Sequence, residues 1–422
     1  MSKSALPVDA GAPAEGFGGR LRATLTKIPL YFGTVRPTLR IPVFTWGTAY
    51  LLLWCYRTVF SVLGEVVVMR LTNIADTRSY QQQGIENMID HLSTSASTSG
   101  LMAQALATAI TKAVGAVIGV VTFNNPVAVN IGFQTIGFLG LLALLRAVDP
   151  RERMVLYALA LLPSITVWSS IASKEALLFF FVGTVCAHIV KVYKNTERLS
   201  FMFFLCLAMV YVFKPHYMPA LIMLLGITYV ARRYEQKATL ALLALGASFV
   251  AMYVARDKID EFAIYVDWAL LSMGGNSARE PFIVEQYDVF LKAPLGMYLS
   301  FTGPTLAETS KGVLHIMTFA ESAFILGLLG FFLLKRLPTT PIYSFIVSMS
   351  GLFWILFPTY PPAVSNPGTA IRYRTGYILI VFICAVILPS RSLYIEWIRG
   401  WSRRVRQKAA KAAEVSPDEA PH

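Results

Sequence analysis

Charged residues are scarce in this chain. They make up 14% of its 422 residues, against about a quarter in soluble domains, while 55% are hydrophobic and the mean hydropathy is +0.57. That shortage excludes an ordinary soluble domain and leaves an all-α, polytopic integral membrane protein. Cysteine is scarce as well: Cys55, Cys186, Cys206 and Cys384 all lie inside apolar runs, which excludes a disulfide framework or a spaced metal site and makes them small core residues. No set of clustered histidines and carboxylates is visible, so neither a metal nor a cofactor is expected. A phosphate loop, a nucleotide-sugar domain and an internal repeat are all missing from the sequence.

Acidic residues are the rarer sign, which leaves a formal net charge of +13. The excess forms no nucleic-acid-binding patch; the basic residues sit in short connections between apolar runs, the pattern of loops held on the cytoplasmic side. Residues 1–42 carry Arg20, Arg22, Lys27, Arg36 and Arg40 and lack the apolar core of a cleavable signal, so a cytoplasmic basic arm against the inner leaflet is expected. Residues 43–390 should form the membrane domain. Residues 391–422 should be a cytoplasmic tail, basic at first and then disordered.

Apolar runs at 43–63, 127–145, 154–169, 176–190, 201–213, 218–230, 239–254, 313–334, 342–357 and 376–388 give about ten spans with both termini inside. The run 101–121, with Lys112, is expected to be re-entrant or interfacial, because as a span it would place the arginines of 146–153 outside. The long outer segment 256–312 contains an apolar stretch, 289–303, expected to lie along the membrane.

This topology gathers polar groups at one face. The first outer loop reads NIADTRSY and supplies Asp76 and Tyr80. The stretch LPSITVWSSIASKE turns with Lys174 and Glu175 at the start of the next helix, where a lysine and free helix amides can hold a phosphate; a charged pair reaching for the interface is the plainer reading. Lys214, Pro215 and His216 interrupt an apolar run, and non-helical backbone at that depth must be buried in protein or line a wet cavity. Glu321, inside an apolar run, is open to a structural salt bridge or a catalytic task. Residues 357–374 read FPTYPPAVSNPGTAIRYR, a Pro- and Gly-shaped outer loop closed by Arg372 and Arg374, whose forked guanidinium groups match phosphate geometry.

An Asp shortly after the first span, an interfacial segment in the first loop and a cationic outer cavity resemble the GT-C superfamily of polyprenyl-phosphate-sugar-dependent glycosyltransferases. The segments LPSITVWSSIASKEALLFF, VFKPHY and NPGTAIRYR are similar to those of bacterial envelope-polysaccharide proteins. The resemblance spans most of 73–388. It implies a GT-C-like catalytic membrane domain in a bacterial inner membrane, with its active site facing the periplasm. It also implies a sugar donor on a polyprenyl phosphate or pyrophosphate, a glycan or lipid acceptor, and other polysaccharide-assembly proteins as partners. Asp76 would be the general base or the group that orients the acceptor. Many members carry a paired acidic motif there, whereas here Thr77 follows a single Asp.

The residue types suit that chemistry: a carboxylate takes the proton of the attacking hydroxyl, and fixed cations among Lys174, Lys214, His216, Arg372 and Arg374 stabilise the departing phosphate. O-antigen polymerases and ligases are a neighbouring variant, in which Arg372, Arg374 and His216 become central. A transporter or flippase of lipid-linked oligosaccharide is the alternative from another class.

Overall fold

The computed structural model describes residues 45–68, 75–81, 102–194, 200–231, 237–272 and 278–390. The basic arm, the tail and the polar stretch 85–98 lie outside the described residues. The chain divides into two units, 1–49 and 50–422. Of the first unit, residues 45–49 are described, where the first helix opens; the helical bundle belongs to the second.

Every regular element among the described residues is helical. In chain order the α-helices are α1 (Trp46–Leu63, widening into a π turn at Gly64–Val68), α2 (Ala75–Gln81), α3 (Met102–Val121), α4 (Pro126–Ala147), α5 (Pro150–Ala160) and α6 (Pro163–Trp168). Next come α7 (Lys174–Tyr193), α8 (Phe201–Phe213), α9 (Met218–Ala231), α10 (Lys237–Val254), α11 (Arg256–Ser272) and α12 (Asp288–Leu291). The set ends with α13 (Ala293–Thr302), α14 (Val313–Arg336), α15 (Ile342–Leu356), α16 (Pro361–Val364) and α17 (Pro367–Phe382, with a π turn at Ile383–Ile387).

Five helices are long and apolar enough to cross a membrane: Trp46–Val67, Pro126–Ala147, Lys174–Tyr193, Val313–Thr339 and Pro367–Ile387. Two bent pairs, Phe201–Phe213 with Pro215–Gly226 at 119° and Ala238–Val254 with Arg256–Ala269 at 70°, raise the total to seven if each is one span. The chain is thus a multi-pass membrane protein with five to seven candidate spans among the described residues. The expected spans at 154–169 and 342–357 are not in that set. The first is broken at Leu161 and Leu162, because Pro163 lacks an N–H and forces the residue before it out of the helical region, as the extended Leu162 shows.

Proline and small capping residues set most of these boundaries. Asn125 caps α4 by accepting from Ala128 N, with Pro126 at the first helical position. Ser173 caps α7 through Ala176 N, and Asn366 caps α17 through Gly368 N and Thr369 N, again with proline following. Such a cap satisfies amides that the helix itself leaves open.

Helices α7 and α17 form the centre, with 78% and 89% of their apolar windows buried, whereas α1 and α14 are peripheral at 22% and 17%. Helices α4 and α7 run in the same direction. Asn130 meets Ala172 at one end, and Lys194 Nζ reaches Ala147 O at the other. They touch backbone to backbone midway, where a Cβ on Gly140 would stand 2.5 Å from Phe180 Cα and one on Gly183 2.6 Å from Gly140 C.

One end of this bundle is held by ion pairs. Lys194 meets Asp149 at 2.5 Å and Arg336 meets Glu152 at 3.0 Å, with Ser390 donating to Glu152 as well.

Candidate functional site

The site is built around the interrupted stretch 161–175. Irregular backbone inside a bundle must find hydrogen-bond partners in protein, and here three helices supply them. Tyr56 OH donates to Leu161 O at 2.6 Å, and Arg57 Nη2 donates to Ser169 O and Oγ at 3.1 and 2.9 Å. Ala172 N donates to Asn130 Oδ1 at 2.8 Å, and Ser164 N donates to both carboxylate oxygens of Glu321 at 3.2 Å. Glu321 therefore holds the start of α6 rather than a lysine or arginine.

Beside this stretch lies a charged box drawn from four segments. Glu175, at the second position of α7, is 1% exposed, and its Oε1 is 2.8 Å from Arg372 Nε on α17. The Arg372 guanidinium stands over the Trp168 ring at 5.6 Å. Lys214, where the bent pair breaks, places Nζ 3.5 Å from the centroid of Tyr373, a cation–π contact, and its charge acts on both Glu175 and His216. The His216 ring packs 4.9 Å from Tyr217 and 6.0 Å from Tyr373, and Tyr217 OH fastens the break to α17 by donating to Tyr373 O at 3.1 Å. Glu175 Oε2 and His216 Nε2 are buried here and make no hydrogen bond.

Arg374 is 0% exposed. Its guanidinium donates to Phe301 O at 3.2 Å, to Ser322 Oγ at 2.6 Å and to Ser164 Oγ at 3.3 Å, so it joins α17 to α13, α14 and α6. The expected outer loop 357–374 needs correction. Arg372 and Arg374 lie in the second turn of α17, because Asn366-Pro367 acts as a cap and a first helical residue rather than as a turn.

The structure therefore brings Glu175, Lys214, His216 and Arg372 together, with Lys174 beside them as the first residue of α7, and sets Glu321 and Arg374 against the adjoining stretch. Tyr80 is buried at 2% exposed in α2. The backbone of Asp76 belongs to the same helix, and its side chain lies outside the described residues. Helix α2 is tied toward the site, since Gln81 Nε2 donates to Asn130 Oδ1 at 3.0 Å and to Glu65 Oε2 at 2.7 Å, and Asn130 also accepts from Ala172 N. Sequence reasoning missed Trp168 and Tyr373, the aromatic floors under the two cations. Their signal was adjacency: Tyr373 lies between two arginines, and Trp168 precedes a pair of serines.

A second charged region is built from charges between Asp257 and Glu308 and is tied to residues 364–365. Arg279 donates to both oxygens of Glu308 at 2.8 and 2.6 Å and to Val364 O and Gly303 O at 2.6 Å. Asp267 accepts from Phe282 N and Ile283 N at 2.9 Å and from Ser365 Oγ. Asp288 accepts from Val284 N, Glu285 N and Lys292 Nζ. Burial pushes the Glu308 carboxyl up, but Arg279 and the Thr305 amide outweigh it and hold the group at about 2. Asp288 is lowered against the same opposition, by Lys292 and the two amides.

Among the described residues no group of three or more His, Cys, Asp or Glu could hold a metal ion. The chain matches no family model, no curated protein and no solved structure. The geometry of the box is therefore the ground on which a function can be argued.

Proposed function

We propose that the chain is a membrane glycosyltransferase or polysaccharide polymerase of GT-C type. It moves sugar from a polyprenyl-phosphate or pyrophosphate donor to a glycan or lipid acceptor. The observation that carries this reading is the charged box: two cations from separate segments, Lys214 and Arg372, face one buried carboxylate, Glu175. Fixed positive charge at low dielectric stabilises a departing phosphate, and a guanidinium already seated on an aromatic ring needs little reorganisation to receive one. Lys174, the first residue of α7, precedes Glu175 in the chain.

In this reading the membrane is a bacterial inner membrane, crossed about ten times with both termini cytoplasmic. Helix α3 and the stretch 289–303 of the outer segment 256–312 lie along the periplasmic interface, and the box opens to the periplasm. Asp76 acts on the acceptor hydroxyl, as base or as its orienting group. Other polysaccharide-assembly proteins are natural partners.

A flippase for the same lipid-linked oligosaccharide is the second reading, favoured by the 119° break at Lys214, since broken helices mark transporter sites. One experiment separates them. A deletion strain is complemented with wild type, Asp76→Asn or Arg372→Ala at matched protein levels, and the leaflet of the accumulated lipid-linked glycan is determined. Outer-leaflet accumulation with both variants inactive is expected. Inner-leaflet accumulation turns the reading to a flippase, and full complementation by both variants removes the box from the function.

A further inference from the structure

Two carboxylates among the described residues, Glu152 and Glu175, have a buried oxygen without a hydrogen bond, and of the two only Glu175 lies in the charged box. It is 1% exposed, yet only Oε1 meets a partner while Oε2 makes no hydrogen bond. Buried carboxylate oxygens are ordinarily satisfied, and those of Glu308 are, with Arg279 and Thr305 donating to its two oxygens. The charge of Glu175 interacts with Lys214 at the break of the bent pair, and His216 Nε2, two residues on, is also buried without a hydrogen bond.

Resting on the functional reading above, we propose that Glu175 is the proton acceptor of the transfer step, held by Arg372 until the donor's phosphate takes that guanidinium over. An entering lipid phosphate between Lys214 and Arg372 competes with Glu175 for the guanidinium, whose fork fits phosphate through two parallel hydrogen bonds. Glu175 then loses its counterion next to the bound donor. The acceptor hydroxyl gives its proton to the freed carboxylate as its oxygen bonds to the anomeric carbon. The bond from that carbon to the phosphate oxygen breaks, and its electron pair leaves on the lipid phosphate, which Lys214 and Arg372 retain. No redox partner enters the step. Asp76 keeps the role of orienting the acceptor.

The test uses the full chain in lipid nanodiscs, with a polyprenyl monophosphate as the binding probe, and membranes of the deletion strain as the source of accumulated donor. Glu175→Gln is expected to bind the probe within about threefold of wild type. It is expected to drain lipid-linked glycan from the membranes about a hundredfold more slowly or worse, the scale of a lost general base, and to lose the acid limb of the rate profile. Glu175→Asp retains measurable turnover. In the unmodified chain, polyprenyl monophosphate raises labelling of Glu175 by a hydrophobic carbodiimide several-fold, and the uncharged polyprenol does not.

Near-wild-type turnover by Glu175→Gln overturns the proposal and leaves the functional reading standing, as does labelling that the phosphate leaves unchanged or lowers. The labelling needs no variant, so a misfolded substitution cannot shelter the idea. Probe binding that survives in both Lys214→Ala and Arg372→Ala overturns the functional reading itself.

Discussion

Two of the clusters of buried charge among the described residues differ in one respect. Around Arg279, Asp267 and Asp288, the carboxylates and the guanidinium are matched to backbone amides, carbonyls and one another. Around Glu175, Lys214 and Arg372, the two cations rest on aromatic faces, and the buried Glu175 Oε2 and His216 Nε2 make no hydrogen bond. Both clusters take charge out of water, which is expensive unless every group is paired. The first has the form of a strap, in which charge supplies hydrogen bonds to the irregular backbone at 279–285 and 303–305. The second leaves interactions unmade, and such a shortfall persists in a folded protein when something else completes it.

The sharpest way to break this comparison is Arg279→Ala. Removing it leaves Glu308 with its side chain only 12% exposed and frees the carbonyls of Gly303 and Val364, and breaking such a pair costs about 3–5 kcal/mol. The unfolding midpoint in detergent should fall accordingly, while turnover per folded molecule stays near wild type. A variant that loses turnover but keeps its midpoint would place the strap in the site.

Lys214→Met is the complementary substitution. Its ammonium is seated on Tyr373, a contact worth about 0.5–1 kcal/mol when partly exposed, so stability should barely change. Losing a charged hydrogen bond to the bound phosphate should weaken polyprenyl-phosphate binding by about 1.5–3 kcal/mol, read as a shift in the probe's binding isotherm. Equal losses in folding and binding would make this cluster a second strap.

The asymmetry between the clusters was only half legible in the sequence. Lys214-Pro215-His216 announces itself because a proline and two cationic residue types interrupt an apolar run, and Lys174-Glu175 because charge opens one. The strap was hidden: Asp267, Arg279 and Glu308 are far apart in the sequence, each reads as an ordinary solvated charge, and what they bond to is set by tertiary structure. The start of α17 was misplaced for a different reason. Asn366-Pro367-Gly368 carries loop residues, but Asn before Pro is also the signature of a helix start, and the apolar run alone begins only at Gly376. That difference moves Arg372 and Arg374 from a loop rim into a helix, and it is what sets Arg372 against Glu175.

Helix α2 offers a smaller test, of whether the Asp76 helix belongs with the second cluster. A Cβ on Gly115 of α3 would overlap the carbonyl oxygen of Tyr80, so Gly115→Ala must push α2 and α3 apart. Overpacking of this kind costs about 1–3 kcal/mol. If α2 presents a residue to the substrate, turnover per folded molecule should fall by more than the change in folded fraction. A variant destabilised but fully active once folded would leave α2 a purely structural helix.

The smallest effect separates the clusters by pH. Glu308 titrates at about 2 in the folded chain, below its ordinary value of 4.5. A carboxyl lowered in this way binds fewer protons folded than unfolded through that window, so its stabilising contribution is complete above pH 4.5 and is lost as the pH falls toward 2. Glu308→Gln cannot titrate there. The gap between the unfolding midpoints of wild type and Glu308→Gln should hold steady above pH 4.5 and close below it. Asp288, also lowered, titrates in both chains and leaves the difference between them to Glu308. A gap that persists at pH 2 would mean that Arg279 is held by the carbonyls of Val364 and Gly303 alone. The strap would then owe its strength to neutral acceptors rather than to its ion pair.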